Sequence, residues 1–295
     1  MQFAQRLFSA LDRREMLHWM PDKLYLQIEF RLRMGRKLDL ANPQTFNEKL
    51  QWLKLYDRRP EYIKMVDKHE AKIYVAERLS EQYIIPTLGV WESFDDIDFQ
   101  TLPERFVLKC THDSGGLVIC REKSKLDKAA ARSKIEKCLQ RNYYWHGREW
   151  PYKAVKPRII AEQFMEDPIG GELVEYKTFC FNGRAKMILV CKGEAHGGGR
   201  TNDFCNIDLV RFPFTSLNPN SKGKLEKPKE LPEIIALSEQ LAQGIPQARI
   251  DTYLVGHKVY FGEITLFHNS GFCSFEPREW DKTIGSWILL PEKKM

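Results

Sequence analysis

The sequence reads as an α+β protein with antiparallel sheets. Helical periodicity fills residues 1 to about 64, and short apolar runs of strand length then mix with helices. Asn182-Gly183 joins two of those runs and is a strong hairpin turn. At 295 residues, 43% hydrophobic and 12% aromatic, the chain has apolar mass for two lobes sharing one cleft. That is too much for a mainly disordered chain.

Leu24, Ile28 and Leu32 form one i,i+4 stripe, and Leu26, Phe30 and Met34 a second. The same residues also alternate with a period of two; helix is taken over strand. Asn42-Pro43-Gln44-Thr45 ends this stretch. Thr45 and Glu48 then form a capping box, opening a helix with the stripe Phe46, Leu50 and Leu53. The first forty residues carry eight Lys/Arg against five Asp/Glu. A basic amphipathic helix there suits peripheral contact with acidic lipid, and the plainer alternative is a solvated face packed on the protein body.

Asp67-Lys68 starts the next helix, through Ile73, Val75, Ala76 and Leu79. Strand-like runs follow at Ile84-Ile85-Pro86, Phe106 to Lys109 and Leu117 to Cys120, then a charged helix at about 126–141. An aromatic stretch spans Tyr143 to Trp150. Strands return at Arg158 to Phe164, Tyr176 to Phe181, Ala185 to Cys191, Arg249 to Val255 and Val259 to Ile264. Gly193 to Gly199 and Asn218 to Lys229 are loops by composition, and Leu231 to Leu241 is a last amphipathic helix.

The longest apolar run is five residues, Met187 to Cys191, far short of the about 20 that span a bilayer. Forty-six Lys and Arg against 40 Asp and Glu leave a charge of +6, which suits an anionic partner. The excess is too diffuse for a dedicated duplex binder, and no nucleic-acid partner is expected. Seven cysteines at irregular spacing, without a C-x-x-C pair, read as reduced core thiols of a cytoplasmic protein. Met1 to Arg6 lacks the features of a secretory signal, and no zinc spacing occurs among the histidines.

Three segments carry chemistry. In Phe106-Val-Leu-Lys109-Cys-Thr-His-Asp-Ser114-Gly115-Gly116, a strand ends in a lysine before a small polar loop with two glycines. Such a loop can turn backbone N–H groups toward a phosphate whose charge the lysine neutralises, or it is an ordinary hairpin turn. Arg249-Ile-Asp251 and Glu263-Ile-Thr265 lie on adjacent strands. A three-residue turn near Gly256-His257-Lys258 sets Asp251 opposite Glu263, where a shared Mg²⁺ relieves their repulsion unless the register differs. Arg158-Ile-Ile-Ala-Glu162-Gln163-Phe164 is an apolar strand that turns polar at its end.

The order of these segments, with Asp67-Lys68-x-x-x-Lys72 before them and Ser270-Gly271 after, resembles the ATP-grasp superfamily over about residues 65–275. The strings Asn42-Pro-Gln-Thr-Phe-Asn-Glu-Lys-Leu50, Pro157-Arg158-Ile-Ile-Ala-Glu162, Tyr176-Lys177-Thr-Phe-Cys-Phe-Asn-Gly183 and Phe261-Gly-Glu-Ile-Thr265 resemble its TupA-like branch, named for teichuronopeptide biosynthesis. The resemblance implies an ATP-grasp fold, two α+β lobes gripping ATP, after a helical segment at 1–64. The first ATP-grasp portion would be 65–164, including the glycine-loop lid, and the second 165–295, with the metal site.

It further implies that Lys68 and Lys109 contact the nucleotide and that Ser114, Gly115 and Gly116 cover its phosphates. Glu162, Gln163 and Phe164 would link the lobes and read the adenine, Glu175 would reach the ribose, and Lys177 the phosphates. Asp251 and Glu263 would hold Mg²⁺, with Thr265, Asn269 or water as third ligand in place of the usual Asn. Arg249 would steady the transferred phosphate. The implied reaction is carboxylate–amine ligation through an acyl phosphate, behind a lid that excludes water. The branch's association with cell-surface polysaccharide implies a uronic acid and an amino acid as substrates, free or lipid-linked, at the inner face of the membrane. Arg148, His196 and Arg200 are candidate acceptor-side residues. Rival readings are a glycosyltransferase, for which Asp96-x-Asp98 formally fits a metal motif, a sugar kinase, and a nucleotide-binding module without turnover.

Overall fold

The computed structural model describes residues 2–168, 173–193, 200–216 and 218–293. Their elements are α1 (Gln2–Arg13), α2 (Asp22–Met34), α3 (Phe46–Tyr56), α4 (Glu61–Val66), α5 (Glu70–Arg78), β1 (Thr87–Trp91), β2 (Phe106–Cys110), β3 (Leu117–Cys120), α6 (Lys128–Leu139), β4 (Ile159–Gln163), β5 (Val174–Phe181), β6 (Arg184–Lys192), β7 (Thr201–Cys205), α7 (Leu231–Leu241), β8 (Gln247–Val255), β9 (Lys258–Thr265) and α8 (Glu279–Ser286). Two sheets result, with strand orders β1-β4-β2-β3 and β7-β6-β5-β8-β9, and every neighbouring pair in each is antiparallel.

Each sheet has its own core. Phe106, Leu108, Ile159 and Ala161 of the four-stranded sheet pack with Ala131, Ile135 and Cys138 of α6. The larger core lies on the five-stranded sheet, and α3, α4, α5, α7 and α8 all contribute to it. A third cluster joins α1 and α2 through Leu17, Tyr25, Leu26, Phe30 and Phe272. All seven cysteines are buried and free.

Local chemistry explains most element boundaries. Thr45 and Glu48 form the expected capping box on α3. In α2 the helical period wins over the alternation of two. The buried residues are Tyr25, Leu26, Glu29 and Phe30, so the Leu26–Phe30 stripe faces inward while Leu24 is exposed. Asp67 accepts from the backbone N–H of His69 and Glu70, so α5 begins at Glu70, just after the expected start.

The run Ile84-Ile85-Pro86 is not a strand. Only Ile84 makes a bridge, parallel to Phe261, and the true strand is Thr87–Trp91. Pro86 has no N–H to donate, and its carbonyl instead accepts from Gln163 N–H at 3.0 Å. The β8–β9 turn also differs from expectation. It has two residues, Gly256 and His257, both at positive φ, with Val255 paired to Lys258. The register then shifts between Asp251 and Thr252, where Gly262 is the extra residue. That bulge restores the pairing of Asp251 with Glu263.

Candidate active site

Two rows of charged side chains face one cleft. On the four-stranded sheet, alternation sends Lys109 and Glu162 to the face opposite Leu108 and Ala161, which pack on α6. Buried Glu162 is the hub. Its Oε1 lies 2.5 Å from Lys72 Nζ of α5 and its Oε2 lies 2.5 Å from Lys109 Nζ. Burial pushes the Glu162 carboxyl up, but the two ammonium groups outweigh it and hold it at about 2.

On the five-stranded sheet, Lys177 pairs with Asp251, Asp251 with Glu263, and Arg249 with Thr265, which puts all five and Glu175 on one face. Asp251 is wholly buried and both its oxygens are taken. Arg249 Nε lies 2.6 Å from Oδ1 and Nη2 2.7 Å from Oδ2, and Lys177 also pairs with Oδ2. Lys177 Nζ is 2.7 Å from Glu175 Oε1, and Arg200, just before β7, is 2.9 Å from Glu175 Oε2. Glu263 sits at the rim, its side chain 40% exposed, with Oε1 3.2 Å from Arg249 and accepting from the Thr265 hydroxyl at 3.3 Å. Burial pushes its carboxyl up, and Lys68, Lys177, Arg249 and Lys109 bring it down to about 2. Lys109 belongs to the first row and Lys68 stands just before α5 beside it, so the two sides act on each other across the cleft.

The glycine loop closes one end. Lys68 Nζ donates to the Asp113 carbonyl at 2.7 Å, and Asp113 Oδ1 accepts from Gly115 N–H at 3.1 Å while Arg141 pairs with Oδ2. Ser114 and Gly115 are exposed. Gly116 is required by packing, since a Cβ there would lie 2.5 Å from Cys110 Sγ.

Asp251, Glu263 and Thr265 offer hard oxygens side by side. Among the described residues no three His, Cys, Asp or Glu side chains form a metal-binding group, and only one Glu263 oxygen is engaged. Mg²⁺ commonly takes one or two protein carboxylates and completes its shell with water and phosphate oxygens, so this donor set fits it. Asn269 stands in a left-handed turn beyond β9, its amide nitrogen buried without a partner.

Several expected residues stand elsewhere. Arg148 is not on an acceptor side: it is 1% exposed, donates to the Leu17 carbonyl at 2.8 Å, and stacks on Tyr25 and Trp145 at 4.3 and 4.5 Å. It pins the N-terminal helices. Glu162 presents no free edge to an adenine, because two lysines take its carboxylate and β1 and β2 pair with its backbone on either side. Gln163 still belongs to β4. Phe164 is the first residue past the ladder, half-buried beneath the Arg105 and Arg121 guanidinium groups. His196 lies outside the described residues.

Sequence reasoning assigned no role to four groups that complete the site. Lys72 shares Glu162, although its place in the Asp67-Lys68-x-x-x-Lys72 string was visible. His268 Nδ1 lies 2.6 Å from Arg249 Nη1; burial and the Arg249 and Lys177 charges hold this histidine neutral, so it accepts and orients the guanidinium. Lys54 of α3 is fully buried and donates to the Gly147 carbonyl and to Ser270 Oγ, at 2.6 and 2.8 Å. Glu149 is buried against Ser270 and Lys54, and burial pushes its carboxyl up. No sequence signal separates these last three from surface residues.

No curated protein matches the chain. Among solved structures it is similar to the D-alanine–D-alanine ligase of Bacillus anthracis complexed with ATP, at 17% identity and a TM-score of 0.41, over 68% of this chain and 55% of that one. It is also similar to the D-alanine–D-alanine ligase of Helicobacter pylori (16%, TM-score 0.44, 84% and 70%). A third is the phosphoribosylamine–glycine ligase of Thermotoga maritima (14%, TM-score 0.41, 70% and 48%). The chain thus spans about half the length of the first of these. The sequence model of the TupA-like ATP-grasp family matches residues 48–289, taking in every strand and both charged rows. The chain belongs to the TupA-like ATP-grasp family.

Proposed function

We propose that this protein is an ATP-dependent carboxylate–amine ligase, joining an amino acid to a uronic acid in cell-surface polysaccharide biosynthesis. The observation that carries the proposal is the pair of facing rows: Lys72, Lys109 and Glu162 on one sheet, and Lys177, Arg249, Asp251 and Glu263 on the other. Cations at fixed positions in a partly dry cleft neutralise triphosphate charge without reorganising during transfer.

Lys109, Lys68 and Lys177 bind the phosphates in this reading. Arg249, held by His268 and Asp251, stabilises the phosphoryl group in flight, and Ser114, Gly115 and Gly116 cover it. The phosphates draw Lys177 away from Asp251, leaving Oδ2 shared with Arg249 alone, beside Glu263 and Thr265. Asp251, Glu263 and Thr265 would hold Mg²⁺, which when bound would neutralise phosphate charge. Arg200, paired with Glu175, and Tyr143, beside His146 and Tyr152, are the acceptor-side candidates. The substrate carboxylate attacks the γ-phosphorus and releases ADP; the amine then displaces phosphate from the acyl carbon.

The test is incubation with ATP, Mg²⁺, glucuronate and a pool of amino acids. Phosphate release that requires both co-substrates supports ligation. Consumption of UDP-glucuronate with ATP untouched sinks it in favour of glycosyl transfer, and a phosphorylated sugar formed without amino acid favours a kinase. Asp251→Ala and Glu263→Ala are each expected to abolish turnover.

A further inference from the structure

The first 24 residues hold five of the ten large apolar side chains that the described protein leaves strongly exposed: Phe3, Leu7, Met16, Trp19 and Leu24. Phe3 is 80% and Trp19 75% exposed. Scattered exposed apolar residues are ordinary, but this concentration is not. The helix that carries two of them is held by one edge only. Phe8 and Leu11 of α1 pack into the α1–α2 cluster, Phe8 at 5.2 Å from Tyr25, while Phe3 and Leu7, one turn apart, project outward.

Positive charge accompanies the apolar surface. Arg6, Arg13 and Arg14 are exposed, and among the described residues none has a carboxylate within ion-pair distance. Arg6 and Arg13, with Gln5 and Ser9, line an open groove of about 410 Å³ along α1. The turn after α1 is fixed to the body rather than loose. His18 stacks on Trp145 at 3.8 Å, and Leu17 accepts from buried Arg148. The Trp19 indole N–H donates to the Met16 carbonyl at 2.9 Å, so its ring can enter an apolar phase without an unsatisfied donor.

We propose that this end of the molecule docks on the surface of an anionic phospholipid bilayer. Phe3, Leu7, Met16 and Trp19 sink below the headgroups, and Arg6, Arg13 and Arg14 meet lipid phosphates. Exposed aromatic and aliphatic side chains beside unpaired arginines match an interfacial helix, whose affinity sums apolar burial and attraction to acidic lipid. A second copy of the chain fits less well, because it would set Arg6, Arg13 and Arg14 against their own copies, with Glu15 the one exposed carboxylate among residues 3–20. Arg148 then holds the docking end rigidly to the segment that lines the cleft. The inference is independent of the ligase reading, since it concerns residues outside the charged rows.

The test is flotation of the full chain with phosphatidylcholine vesicles, and with vesicles containing one quarter phosphatidylglycerol. At least tenfold more protein is expected to float with the anionic vesicles, and raised salt should release most of it. The variants F3S/L7S/W19S and R6Q/R13Q/R14Q should each lose at least tenfold in binding while unfolding at the wild-type temperature. Should the apolar triple variant misfold, Phe3→Glu alone supplies the same readout. Protein that stays at the bottom with anionic vesicles overturns the proposal. So does equal flotation with both vesicle types, wild-type flotation of the folded variants, or a lipid-independent dimer through this face.

Discussion

Glu162 holds two lysines with one carboxylate, and its environment makes a specific demand on pH. Its folded carboxyl titrates at about 2 against an ordinary 4.5, so the shift stabilises the fold above pH 4.5 and that stability is lost as pH falls toward 2. The contribution at neutral pH is about 3 kcal/mol. Glu162→Gln is expected to cost about that much, since it leaves the buried Lys72 and the partly exposed Lys109 without their shared counter-charge. Urea unfolding at pH 7 and pH 3 checks it: the gap between wild type and variant should narrow at the lower pH. Lys109→Met is expected to weaken ATP binding at least tenfold with little loss of fold, because its side chain is 24% exposed and Lys72 remains to hold Glu162. Calorimetry with ATP and Mg²⁺ reads this directly.

Between residues and elements, Gly262 decides whether the Asp251 and Glu263 carboxylates meet. A Cβ there would lie 3.0 Å from the Tyr253 ring and 3.1 Å from the Asp251 carbonyl. Gly262→Val is therefore expected to cost about 1–3 kcal/mol and to weaken Mg²⁺-dependent nucleotide binding. Thermal melts and ATP titrations with and without Mg²⁺ separate the two effects. The pairing of Asp251 with Glu263 was legible in the sequence, but on an incorrect turn; a two-residue turn and a bulge reach the register that a three-residue turn suggested. Patterns of period two carry sheet faces well and cannot reveal an extra residue.

Helix α3 has a similar division. Its capping box and apolar stripe were readable, whereas the burial of Asn47, Gln51 and Lys54 was not. Residues far along the chain meet them: Asn47 bonds Asp281 and Cys273, Lys54 bonds Gly147 and Ser270, and Gln51 donates to Ser270 and Gly271 through Nε2 while its Oε1 is left without a partner. Lys54→Met and Glu149→Gln are each expected to destabilise by about 1–3 kcal/mol, because each removes a group from the buried polar cluster around Ser270, where Lys54 donates to Gly147 and Ser270. The double variant should cost clearly less than their sum in denaturant unfolding.

At the scale of the molecule, two antiparallel sheets with separate cores bring opposed charges to one cleft. Lys68, Lys72, Lys109, Lys177, Arg200 and Arg249 outnumber Glu162, Glu175, Asp251 and Glu263, leaving the cleft positive before any ligand enters. ATP affinity is therefore expected to fall several-fold as salt rises from low to about 0.5 M. Equilibrium titrations across that range check the point, and charge-neutral adenosine should show almost no such dependence. No described helix is long and apolar enough to cross a membrane.

The sequence by itself determined the α+β class, the strands that carry Lys109, Lys177, Arg249, Asp251 and Glu263, the capping box of α3 and the burial of the cysteines. Each rests on local chemistry or on a period of two or 3.6. Tertiary structure alone decided that Glu162 serves Lys72 and Lys109, that His268 orients Arg249, and that Arg148 lies in the core beneath the N-terminal helices. It also left α1 with an open apolar edge. These outcomes depend on which distant groups share a dry space, and charge pairing over that range leaves no periodic trace in the chain.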